Sequence, residues 1–146
     1  MNDWYVFIVL IHVLSAVVSV GPLFVLFTIL KKMRQADAAV ETVYIVIFRS
    51  IVRLIKHAGH VLVGSGILLV YLGPWPWSTP WIVMTIGLMV VSIFFLANGF
   101  SGTLKKFVEP GADRLKLITK LHKAAWIYIT LLVLMLALMV IKPTLW

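Results

Sequence analysis

The amino-acid sequence predicts an all-α fold, a transmembrane four-helix bundle made of one domain over residues 1–146. Three observations carry this. Apolar residues make up 62% of the chain and charged residues only 12%, about half the charged share of a soluble domain. The apolar residues gather in long runs, and an uncharged run of about 18 or more reads as a membrane span, because roughly 20 residues at 1.5 Å rise cross the hydrocarbon. The basic residues collect between alternate runs, which gives the bundle a direction.

Span one covers about residues 4–30 and contains His12, Ser15, Ser19 and Pro22; Lys31, Lys32 and Arg34 mark its end. The apolar run behind Asp3 is longer than the hydrophobic part of a signal peptide and lacks a basic start. Span two covers about residues 44–72. Upstream of its apolar end, residues 61–72, lies an amphipathic stretch in which Val40, Val43, Ile47, Ile51 and Leu54 recur at steps of three and four. That is the helical period, so one long helix is expected, extended into the cytoplasmic interface. Pro74, Pro76 and Pro80 then forbid its continuation. Span three covers about residues 81–100. A basic loop is expected over residues 101–120, turning at Glu109-Pro110-Gly111. Span four covers about residues 121–141 and is closed by Lys142-Pro143.

Twelve of the 13 Lys and Arg residues fall on one side: Lys31, Lys32, Arg34, Arg49, Arg53 and Lys56 in the first group, Lys105, Lys106, Arg114, Lys116, Lys120 and Lys123 in the second. Only Lys142 lies opposite. Positive flanks stay in the cytoplasm, so the expected topology is N-out/C-out in the inner (plasma) membrane. Trp4, Trp75, Trp77, Trp81 and Trp146 then form an aromatic belt at the outer interface. The net charge of +8 is read as this positive-inside flank against anionic lipid. Nucleic acid is not expected as a partner, because no basic segment interleaves with aromatics for base stacking.

The chain has no cysteine, which excludes disulfides, thiolate-ligated iron–sulfur centres and covalent haem attachment. It has no P-loop, dinucleotide glycine motif or nucleophile elbow, and Gly64-Ser65-Gly66 is read as small residues for close helix packing. No acidic residue falls inside a span, which argues against cation-coupled transport.

Histidines are the candidate chemistry. An ionisable residue inside a span is expensive and marks a functional site by default; the alternative is a histidine bonded to a carbonyl or reaching an interface. His12, Ser15, Ser19 and Pro22 share one helical stripe, and Arg53, His57, His60 and Gly64 share another. Both are expected to face the interior. From the outer edge His12 lies roughly 12 Å deep and His60 roughly 19 Å deep, an offset that two axial ligands of a tilted haem tolerate. His57 and His122, near the inner edge, form the alternative pair. Haem b needs only a suitable donor on each face and an apolar slot. Arg49, Arg53 and Lys56 would meet its propionates, or serve simply as basic flank. Met89 and Met135 lie at about the depth of His12, so copper(I) is a second possibility, against ordinary core filling.

Ile11-His12-Val13-Leu14-Ser15, followed by Gly21-Pro22, resembles the first helix of the bacterial domain-of-unknown-function family 2269. Arg53-Leu54-Ile55-Lys56-His57-Ala58-Gly59-His60-Val61-Leu62-Val63-Gly64 resembles its second. That family is distantly similar to the copper-resistance D membrane domain and to the membrane protoporphyrinogen-oxidase group, which also place a histidine early in span one. The resemblance implies haem or metal handling in the membrane by His12 and His60. The oxidase group also uses an intramembrane lysine in a later span; here spans three and four have none at depth, which weakens an enzyme reading.

The expectation is therefore a haem b-binding membrane protein with axial candidates His12 and His60, further candidates His57, His122 and Arg53, and a role in electron transfer or haem and metal handling. A quinol or other redox partner, a homo-oligomer or a larger membrane complex would accompany it. The alternatives are a cofactor-free membrane subunit or assembly factor, and a copper-handling protein.

Overall fold

A computed structural model of the chain describes residues 3–145; Trp146 of the expected belt lies outside them. The fold is all-helical, with four long helical runs and no strand among the described residues. Helix α1 is Asp3–Met33, α2 is Ala38–Leu72, and α3 is Pro80–Phe95. A π-helical turn, Leu96–Gly102, carries α3 into the short α4, Thr103–Lys106. Helix α5 is Arg114–Ile141.

Local chemistry sets the ends. The Asp37 carboxylate caps α2 by accepting from the Val40 N–H at 3.0 Å, and Asp113 caps α5 by accepting from the Lys116 N–H at 3.2 Å. Each satisfies a donor that a helix start leaves orphaned. Pro80 opens α3, where its missing N–H costs nothing. Gly111 takes φ +77° in the turn before α5, a value open to glycine without strain.

The basic loop expected over residues 101–120 is mostly helix. Helical structure continues through the π turn to Lys106 and resumes at Arg114. Charge misled here: Lys105, Lys106 and Lys116 lie exposed on helices that have left the apolar zone.

The α1, Pro80–Lys106 and α5 runs are each long and apolar enough to cross a membrane. Helix α2 is longer than any of them, but Glu41, Arg49, Arg53 and Lys56 interrupt its first half. Large apolar side chains such as Phe7, Leu14, Val17, Phe94 and Val133 lie exposed around the helices. Apolar exposure of that extent on a soluble monomer would mark a contact surface; on spanning helices it is the face that meets lipid.

Packing is uneven along the helices. Helices α1 and α2 form the most extensive pair, α3 packs on α5, and α1 joins the two pairs through α5. The shared core, with Leu23, Leu26, Leu30, Phe48, Ile55, Phe100, Leu121 and Tyr128, sits at the end rich in basic residues. Phe100 lies edge-on to Tyr128 at 5.8 Å between ring centroids. Polar ties close this end. Glu41, almost wholly buried, is paired with Arg114, whose Nε donates to its carboxylate at 2.7 Å. Arg49 donates to the Leu104 carbonyl at 3.3 Å. Toward the tryptophan end the pairs splay, and α2 and α3 scarcely meet.

Candidate functional site

The splay leaves a cleft of about 810 Å³ between α2 and α3, floored by α1 and α5. Its walls are mostly apolar. His12 and Tyr5 enter from α1, Lys56 and His60 from α2, Met89 from α3, and Met135 and Tyr128 from α5. Lys56 marks the end nearer the basic residues, and Lys142 with Trp75, Trp77 and Trp81 marks the tryptophan end.

His12 is the best-defined polar group in it. Its Nδ1 lies 3.0 Å from Ser65 Oγ on α2. The Ser65 hydroxyl has one proton, and the Val61 carbonyl accepts it at 2.7 Å. The oxygen is then left to accept from His12 Nδ1–H. That assignment leaves Nε2 with its lone pair. The ring fits because residue 66 has no side chain: a Cβ on Gly66 would stand 3.1 Å from His12 Cε1. Helix α1 supports the histidine locally, with Ser15 donating to the His12 carbonyl at 2.8 Å and Ser19 to the Ser15 carbonyl at 2.8 Å.

The α1 stripe thus turns inward, as expected: Ser15 and Ser19 are buried. The α2 stripe does not. The face that α2 buries is Phe48, Val52, Ile55, Ala58 and Ser65. His57, His60 and Arg53 lie exposed. The correction has a physical reason, since a mainly apolar row offers closer packing than one carrying two imidazoles and a guanidinium. His60 still borders the cleft, whereas His57 and Arg53 do not. Gly66 and Ser65 pair with His12, so His60 stands about 8 Å further along α2 toward the basic end.

His57 and His122 are not brought together. His57 neighbours His60 on α2, 6.3 Å between ring centroids. His122 is half-buried with its ring edge-on to Phe27 of α1 at 5.4 Å, and α2 and α5 barely touch. Of the three cations expected near a propionate, only Lys56 reaches the cleft. Among the described residues no group of three or more His, Asp or Glu side chains is placed to hold a metal ion.

Sequence reasoning missed Ser65 and Gly66 as the companions of His12. The signal was available, because Ser65 stands seven residues from the outer end of α2 and His12 eight residues from Trp4. The buried Glu41 was missed too.

A family model described as a predicted integral membrane protein, DUF2269, matches residues 6–100. The chain belongs to this family. The match takes in α1, α2 and α3, and with them His12, Ser65, Gly66 and His60, while α5 lies beyond it. No curated protein and no solved structure matches the chain.

Proposed function

We propose that this DUF2269 protein is a four-span membrane protein that binds haem b in the α2–α3 cleft, with His12 and His60 on the iron. The observation that carries the reading is the orientation of His12. Its Nδ1 is engaged by Ser65, and the ring borders an apolar cleft. Metal-ligating histidines are held in this way, one nitrogen fixed by a hydrogen bond and the other free. The cleft's volume suits a ligand of that size. Lys56 at its inner end would hold an anionic edge, and the apolar walls would exclude water. Bound there, the haem iron would supply a reversible one-electron couple tuned by its axial ligands.

Topology follows from charge and pairing. Helix α2 packs along α1 behind a short turn and traverses the same depth, despite its charged first half. With twelve basic residues at one end, both termini lie outside in the plasma membrane.

The test is the visible spectrum of the full chain, purified in detergent from haem-replete cells. A Soret band is expected, lost in His12→Ala and shifted in His60→Ala. Ser65→Ala should keep the band but weaken haem retention about tenfold, the usual cost of losing a ligand's supporting hydrogen bond. Absence of a Soret band after haem supplementation sinks the reading and leaves His12 as a helix–helix clamp in a cofactor-free subunit. A copper(I) site is the second reading, because Met89 and Met135 line the same cleft as His12; copper content of the same preparation decides it.

A further inference from the structure

The outer mouth of the cleft holds a group of residues that the haem reading does not use. Lys142 is the residue that ends α5, and it sits in the left-handed conformation at φ 48°. Glycine or asparagine is the usual residue in such a turn, since a longer side chain strains it. The turn places Lys142 Nζ over two indoles, 4.9 Å from the Trp75 centroid and 5.7 Å from that of Trp81. Those rings lie edge-on to each other at 5.7 Å. Among the described residues no carboxylate pairs with Lys142. The Trp81 indole N–H is buried without an acceptor. The mouth therefore presents a cation with no carboxylate partner among the described residues at the end of an apolar cleft.

We infer that the outer mouth binds an anionic phospholipid, its phosphate at Lys142 and one acyl chain lying between Val70 of α2 and Ile86 of α3. Charge complementarity selects the head. A cation anchored on aromatic faces at the membrane–water boundary takes an anion that also presents acceptor oxygens. The cleft selects the tail. It is lined by apolar side chains and lies where α2 and α3 fail to close against each other. A lipid there fills a gap that the helices leave open. The headgroup position lies about 12 Å along the helices from His12, and the acyl chain enters the same cleft, so the test is made on haem-free protein.

The test uses the full chain in mixed micelles, with quenching of tryptophan fluorescence by phospholipids brominated on the acyl chain. Brominated phosphatidylglycerol should quench at about fivefold lower mole fraction than brominated phosphatidylcholine, the factor that about 1 kcal/mol of attraction to one basic side chain corresponds to. Lys142→Gln should abolish the difference, and Lys142→Arg should restore it. Equal quenching by the two lipids overturns the inference, as does a preference that persists in Lys142→Gln. If excess inorganic phosphate erases the preference, the mouth reads a free anion, and the lipid assignment is wrong.

Discussion

Gly66 offers the sharpest test of how the His12 site is built. A methyl group at residue 66 would stand 3.1 Å from His12 Cε1 and 3.6 Å from Nδ1. Carbon atoms rest comfortably at about 3.5–4.0 Å, so the imidazole must retreat by about 0.5 Å. Retreat from Gly66 is also retreat from its neighbour Ser65, which takes the 3.0 Å hydrogen bond to about 3.5 Å, the edge of bonding. The chain can accept the crowding, at about 1–3 kcal/mol for an overpacked site. Alternatively it can give up the hydrogen bond, at about 0.6–1.7 kcal/mol for a pair between membrane helices. Both routes leave Gly66→Ala destabilised. Alanine also favours a helix over glycine by about 1 kcal/mol, which would mask part of the loss. Gly64→Ala supplies the control, because a Cβ there meets nothing within 4 Å. The propensity gain cancels between the two variants, and the remaining difference should be about 0.6–1.7 kcal/mol against Gly66→Ala, the cheaper of the two routes. Reversible unfolding of both variants in mixed micelles measures it. Equal stability of Gly66→Ala and Gly64→Ala would show that the ring is not held against α2 as described.

Two further outcomes are expected. At the basic end, Arg114→Ala strands Glu41, which is 6% exposed, whereas the arginine is 44% exposed at its side chain. A buried carboxylate left without its partner should cost about 2 kcal/mol, and Glu41→Gln clearly less, since the arginine stays hydrated. The same unfolding assay reads both, and equal losses would refute the burial argument. For topology, the chain's lack of cysteine permits single-cysteine labelling. A membrane-impermeant maleimide added to intact cells should label Pro74→Cys and leave Gln35→Cys unlabelled; the reverse pattern would invert the bundle.

Much of the architecture was legible in the residues. The prolines between α2 and α3 are local signals, which break a helix whatever surrounds them. The apolar runs of α1, α3 and α5 were legible for the same reason, because length and hydropathy alone decide whether a helix can cross lipid. The boundaries of the second basic region were not. Helix ends beyond the hydrocarbon are set by capping and by packing on α5, and Lys105 and Lys106 signal position in the bilayer but not loop.

The inward stripe of α1 was legible because His12, Ser15 and Ser19 are polar within an aliphatic helix, and polar groups leave lipid whenever a partner is at hand. The same rule failed on α2. There the histidine stripe lies toward the basic end, where polar side chains can reach water and need no buried partner. The row that packs is Val52, Ile55 and Ala58. In water an apolar row announces the face that will be buried. In a bilayer lipid and protein interior are equally apolar, so hydrophobicity does not say which of two apolar faces meets another helix. The sequence by itself therefore determined an all-helical membrane protein and its long apolar runs. Only the tertiary structure decided that α2 and α3 part to leave a cleft, that Ser65 and Gly66 hold His12, and that His12 and His60 border the same space. Those outcomes depend on how side chains of one helix fit the surface of another, a matter of shape that hydropathy does not encode.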